Sequence, residues 1–243
     1  MKKILYKAET RGHKYNGWLD TYNTFSFAGY FDPERINFGA LRVMNDDTIK
    51  GGEGFGSHLY NNMEIVSIPL CGVLEHRDNL GHVNVISPGD IQVLSAGSGV
   101  VHSIYNADNE KPVSFFQIWI LPKEKDVTPK YEQKSFNFIN SCNELVHLIA
   151  PNRENGCLYL NQDAWFSIGT FTKGNSFDYR IQKKGNGLYA MVVEGKFELS
   201  DEILQHRDGI GIFETDEVKI KALSDTGRIL LIDVTMKIPS AKE

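Results

Sequence analysis

Apolar residues fall into short runs, rich in β-branched and aromatic side chains, each about as long as one strand. Residues 38–43, 64–69, 91–94, 115–121, 188–193 and 229–234 are the clearest. Between the runs stand Asn45-Asp46-Asp47, Asp78-Asn79-Leu80-Gly81, Pro88-Gly89-Asp90 and Gly185-Asn186-Gly187. These residue types supply the preset or positive φ of tight turns. Many short strands with such turns predict an antiparallel sandwich or barrel rather than a parallel α/β sheet. No long 3.6-residue period occurs, and the best helical segment, residues 141–148, is short.

The pattern repeats. Leu74-Glu75-His76 follows a turn at Gly72, and Pro88-Gly89-Asp90 leads into another strand. In the second half, residues 192–199 run through Gly195, and Arg207-Asp208-Gly209 leads into residues 210–213. Two copies of one small barrel suit a chain of 243 residues. The expected units are residues 1–135 and 136–243, with the charged, proline-containing segment 121–129 as linker.

Composition narrows the function classes. The net charge is −5, with acidic and basic residues interspersed. That leaves no electrostatic footprint for nucleic acid or an anionic membrane. Cys71, Cys142 and Cys157 are widely spaced and form no C-x-x-C pair, so they read as buried, reduced thiols. The basic N-terminus is not followed by a signal-length apolar run, and no stretch approaches membrane-span length. A cytoplasmic protein is expected.

Candidate chemistry lies in two stretches. Gly52 to Gly72 reads G-E-G-F-G-S-H-L-Y-N-N-M-E-I-V-S-I-P-L-C-G, and Gly97 to Asn106 reads G-S-G-V-V-H-S-I-Y-N. Alternate strand residues share a face, so His58 and Tyr60 point the same way, into a barrel that His102 enters from another strand. Imidazoles and a carboxylate converging there would suit iron, manganese, nickel or copper. The stretches resemble the two cupin motifs, G-x5-H-x-H-x3-E ending in glycine and G-x2-H-x3-N. Gly52, His58, Glu64, Gly72, Gly99, His102 and Asn106 occupy matching positions.

Within cupins the chain resembles the pirin family. R-G-H-x3-G-W-L-D, T-F-S-F-A-x-Y-F-D-P, L-R-V-M-N-D-D, P-K-Y-E-Q-K-x-F and N-Q-D-A carry the resemblance over nearly the whole chain. It implies an all-β bicupin of two antiparallel barrels, with one metal in the N-terminal domain and a structural, metal-free C-terminal domain. Some pirin relatives cleave flavonols such as quercetin with dioxygen, and others act as nuclear co-regulators of transcription. The family pattern is H-P-H and H-S-E, giving three histidines and a glutamate. Here the strings read His58-Leu59-Tyr60 and His102-Ser103-Ile104. Ile104 cannot ligate, and Tyr60 could do so only as a phenolate, which is scarce near neutral pH. Glu64 could complete a two-histidine, one-carboxylate triad.

Phe55, Tyr60, Tyr105 and Phe116 are expected to line the barrel mouth, since they flank or share strands with the histidines. His13, His76, His82, His147 and His206 lack paired spacing and read as surface or hydrogen-bonded core residues. Gly97-Ser98-Gly99 precedes no helix and no lysine, so it is not a phosphate loop. Three functions follow. The first is a pirin-like bicupin with lost or weakened metal activity and a small-molecule-sized pocket, either metal-free or holding one divalent transition metal, iron first. The second is a metal-dependent dioxygenase acting on a flavonol. The third is an interaction protein of stress or transcriptional regulation. A small aromatic molecule is the expected partner of the first two.

Overall fold

Alternation of buried and exposed positions resolves into antiparallel strands throughout. The structure, a computed structural model, describes residues 1–238. The chain begins with β1 (Lys2–Tyr6), β2 (Gly12–Tyr15), β3 (Leu19–Asn23), β4 (Leu41–Ile49), β5 (Gly54–Tyr60) and β6 (Glu64–Cys71). It continues with β7 (Leu74–Asp78), β8 (Val83–Ile86), β9 (Asp90–Ser95), β10 (Val100–Asn106), β11 (Val113–Ile120) and β12 (Lys130–Ser135). The second half supplies β13 (Glu144–Ile149), β14 (Ala164–Thr172), β15 (Ser176–Arg180), β16 (Asn186–Glu194) and β17 (Phe197–Leu199). The last strands are β18 (Glu202–Leu204), β19 (Gly209–Phe213), β20 (Glu217–Ala222) and β21 (Thr226–Thr235).

A seven-stranded sheet, β12-β9-β6-β11-β4-β3-β2, faces a four-stranded sheet, β5-β10-β7-β8. The second half repeats the plan with β1-β19-β16-β21-β14-β13 against β15-β20-β17-β18. Side-chain parity assigns the faces. Met44, Val66, Ile68, Phe116 and Ile118 of the larger first sheet bury against Phe166, Ile168, Tyr189, Met191 and Ile232 of the larger second sheet. The opposite face turns Ile49, Val113 and Phe115 inward against Leu74, Ile86 and Ile104 of the small sheet. Each half is therefore a barrel, and the two stack back to back. Asp46, paired with Arg11 at 3.4 Å and Arg207 at 3.0 Å, ties their seam.

Equivalent turns mark the repeat. Gly72 and Gly195, at φ 76° and 80°, occupy the left-handed region in the two copies, where a Cβ would meet backbone. Asp90 accepts from Ser87 N, and Asp208 from Gln205 N, the same i to i−3 clasp in both barrels.

Several expectations need correction. Residues 141–148 are not helical: β13 pairs with β14, and the regular helices among the described residues are two single 3-10 turns. The 121–129 segment does not join the domains. It folds over the first barrel, and β12 then returns to pair with β9. β1 departs from the 1–135 unit by joining β19 of the second barrel. Phe116 lies wholly buried between the barrels, because even-numbered positions of β11 face the seam. Only Cys157 is a buried thiol; Cys71 and Cys142 are exposed. Among the described residues no helix is long and apolar enough to cross a membrane.

Candidate metal centre

β5 and β10 lie side by side with His58 opposite His102 and Tyr60 opposite Val100. Their rings converge: the centroids of His58 and His102 are 5.8 Å apart, and Tyr60 lies 4.8 Å from His102 and 5.0 Å from His58. His102 is buried and His58 is exposed at the rim. A β-bulge after His102 shifts the register so that Ile104 faces Phe55.

Hydrogen-bond partners assign the tautomers. His58 Nδ1 faces the Gly56 carbonyl, which can only accept, so Nδ1 carries the proton and Nε2 the lone pair. Tyr60 donates its hydroxyl proton to that lone pair at 2.8 Å. On β7, His76 Nε2 donates to Asp78 Oδ2 at 3.0 Å. His76 Nδ1 then accepts from Gln92 Nε2 at 2.9 Å and from His102 Nδ1 at 3.5 Å. His102 Nε2 is left as a lone pair, buried and without a partner among the described residues. Burial, then the neighbouring His76 and His58, push the His102 pKa down to about 3. The ring is therefore held neutral, in the protonation state and tautomer a metal requires.

Other expected ligands are placed differently. Burial pushes the Tyr60 phenol up to about 12, so it keeps its proton at neutral pH. Ile104 is enclosed by aliphatic neighbours at 1% exposure. Glu64 does not join His58 and His102. Asn62, at φ 48°, turns the chain, and Glu64 opens β6 on the seam-facing side. There it accepts from Ser95 Oγ at 2.6 Å and Asn161 N at 3.1 Å. Among the described residues no three His, Cys, Asp or Glu side chains are grouped to hold a metal. Tyr105 is 38% exposed and lies over Gly54 and Gly56, outside the barrel, because its parity is opposite to that of Ile104. Phe55 packs edge-on against Trp18 beneath the mouth.

The histidine read as an isolated core residue, His76, is buried at 0% and supports the site through His102. His76-Arg77-Asp78 could have revealed it, since alternate strand residues share a face. His13 pairs with Asp20, His82 with Asp78 and His147 with Ser167, all away from His58.

The barrel interior is unusually polar. Asn45 Oδ1, Ser67 Oγ, Gln92 Oε1, His102 Nε2 and Trp119 Nε1 are buried without hydrogen-bond partners. Strand parity turns all five inward. Unpaired buried polar atoms cost about 1–3 kcal/mol each, so five of them in one barrel call for water or another polar group among them. The second barrel contrasts with it, being filled by Leu188, Val192, Phe197, Ile210, Ile220 and similar side chains.

Two back-to-back antiparallel barrels, one polar and histidine-bearing and one packed solid, define a bicupin. The Pirin family model matches residues 6–120, and the Quercetinase C-terminal cupin domain model matches residues 147–234. The chain is 37% identical over 230 residues to quercetin 2,3-dioxygenase of Escherichia coli (strain K12), covering 95% of this chain and 97% of that one. A putative quercetin 2,3-dioxygenase of Pseudomonas aeruginosa is 36% identical, covering 92% and 95%. A crystal structure of the bacterial pirin YhhW from E. coli in complex with nickel(II) superposes with a TM-score of 0.91 at 35% identity, covering 96% and 99%. The chain belongs to the pirin family.

That family implies a divalent metal, and the lone-pair nitrogens of His58 and His102 fit one. The fit stops at two donors, since a protonated phenol and an isoleucine stand at the other two positions. Asp78 and His76 fix the His102 tautomer, so His76→Phe should weaken nickel(II) binding about 10- to 100-fold, the usual effect of losing an orienting partner. Calorimetric titration checks this. Unchanged affinity with intact folding would refute the relay.

Proposed function

We propose that this protein is a pirin-type bicupin whose metal centre is weakened to two histidines, with a pocket that takes a small aromatic molecule. The hydrogen bond from Tyr60 to His58 Nε2 carries the reading. A metal reaching His58 must break that bond or strip a proton from a phenol held near pKa 12. Either cost lowers affinity. The loss at position 104 removes the family's carboxylate, and Glu64, bonded by Ser95 and Asn161, does not replace it.

A divalent iron, manganese, nickel or copper ion held by His58 and His102 would supply a Lewis acid for a ligand's oxygen atoms. The chain's own part is to set the His58 and His102 rings on neighbouring strands and to place Trp119 against Tyr60, ring centroids 5.1 Å apart. Titration with nickel(II) should give a dissociation constant at least ~100-fold weaker than that of YhhW under the same conditions, abolished in His102→Ala. Stoichiometric metal surviving purification and dialysis would overturn the reading. That result would favour the second one, a flavonol dioxygenase, which the free His102 Nε2 and the likeness to quercetin 2,3-dioxygenases support.

A further inference from the structure

We infer that a lysine-lined cavity, where the segment trailing the first barrel meets the second barrel, binds a compact polyanion, a short polyphosphate. The inference goes beyond the proposed function and uses none of the metal-centre residues. Acidic and basic residues are interspersed along the sequence, but the fold gathers four lysines from three distant segments. The order β16-β21-β14 sets the start of β16, the end of β21 and the start of β14 side by side, with Asn186 opposite Thr235 and Ala164 opposite Val234. Lys123 joins them from the segment that follows β11. The cavity measures about 350 Å³ and is lined by Lys123, Gln162, Asp163, Lys183, Lys184 and Lys237 among others. That is within the size range of small-molecule sites.

Hydrogen bonds fix the floor of the cavity. Gln162 donates to Leu121 O at 2.8 Å and accepts from Asp163 N at 2.8 Å, and Asn186 donates to Asp163 O at 3.2 Å. Asp163 is thereby held between two of the lysines, its Oδ1 3.4 Å from Lys123 and its Oδ2 2.6 Å from Lys183. The Lys183 hydrogen bond lowers the Asp163 pKa, so the group is ionised at neutral pH. Gly185, at φ 90°, completes the turn in which Asn186 N reaches Lys183 O at 3.0 Å, and Lys183 and Lys184 both line the cavity. Among the described residues Asp163 is the one carboxylate in the wall, against four ammonium groups. That local surplus of positive charge, in a chain of net charge −5, calls for an anion of several charges. The cationic groups are all lysines, point charges that suit tetrahedral phosphate, whereas arginine offers a planar fork to carboxylates. No aromatic ring of the described residues lines the cavity, so nothing there stacks on a base. The N-Q-D-A string thus has a use outside the metal centre. Asn161 and Gln162 hold the segment trailing the first barrel, and Asp163 spaces the lysines.

Calorimetric titration of the full chain with sodium tripolyphosphate at low ionic strength tests the site. One saturable site is expected, at least about tenfold tighter than for orthophosphate, because attraction grows with the number of charges engaged. Lys184→Gln combined with Lys237→Gln should weaken tripolyphosphate about tenfold. Lys219→Gln combined with Lys221→Gln makes the same charge change on exposed positions of β20. That pair should shift the affinity by less than about twofold, being screened from the cavity. Equal losses in the two pairs, or no saturable binding by the wild-type protein, overturn the inference and leave the metal-centre reading intact. Binding lost in His102→Ala would place the polyanion on a bound metal and overturn it as well. So would an oligothymidylate that binds more tightly than tripolyphosphate and is lost with Lys184 and Lys237, which would assign the cavity to nucleic-acid backbone. The comparison of tripolyphosphate with orthophosphate needs no variant, so a variant that fails to fold does not rescue the idea.

Discussion

Tyr60→His combined with Ile104→Glu should convert this chain into a tight metal binder, with nickel(II) affinity raised by about 10³-fold. The estimate follows from two ligands gained, each worth at least as much as an orienting partner, about 10- to 100-fold. His58 and His102 are already positioned, and Asp78 and His76 already hold the His102 tautomer, so only donors are missing. A cost comes first. Ile104 lies among Ile49, Leu74, Ile86, Val113 and Phe115, and a glutamate there is desolvated without a partner until metal arrives. The metal-free double variant should therefore melt below the wild-type protein. Saturating nickel(II) should restore it, by about 4 kcal/mol at a thousandfold excess over the dissociation constant. If the proposed weakening of the centre holds, quercetin cleavage should then rise in the double variant and not in Tyr60→Phe. Melting curves with and without metal, with elemental analysis, read the outcome. A double variant that folds yet binds no better than wild type would mean that more than two ligands separates this site from its relatives.

Strand runs, turns and the two-barrel repeat were legible because each is written locally, in apolar alternation and in Gly, Asn and Asp at turn positions. His58 and His102 were legible for the same reason, being parts of contiguous strings. Parity misled where the chain turned. Glu64 is six residues from His58, an even count, yet Asn62 in the left-handed region ends one strand and starts another in a different sheet. Phe116 and Tyr105 failed likewise, because sharing a strand with a site residue says nothing about which face a side chain takes. The parity of His76-Arg77-Asp78 hints at one polar pair, but the roles of His76 and Gln92 at the site were hidden for a different reason. Their value lies in contacts between β7, β9 and β10, and no single string contains those. The 141–148 segment shows tertiary pairing overriding a weak local tendency.

Stability should fall as pH rises from about 4 to about 7, and Asp47→Asn should remove much of that slope. Burial raises the Asp47 pKa from 3.8 to about 7, with the neighbouring Asp46 adding to the rise and the Thr21 hydrogen bond opposing it. In the unfolded chain the carboxyl ionises near its ordinary value, while in the fold it keeps its proton. Across that window the native state binds more protons than the unfolded state, so unfolding free energy declines with pH and levels off above the folded pKa. At about 1.4 kcal/mol per pH unit, the total is on the order of 4 kcal/mol. Asp233, pushed up to about 6 chiefly by burial, adds a slope of the same sign that Asp47→Asn leaves in place. Asparagine preserves the shape and the oxygen that Thr21 bonds, and it has no charge to desolvate. The variant should therefore match wild type near pH 4 and exceed it by a few kcal/mol at pH 8. Urea unfolding at both values decides it. Parallel pH profiles for the two proteins would mean that Asp47 ionises freely in the fold, and that the first barrel's interior is wetter than its burial implies.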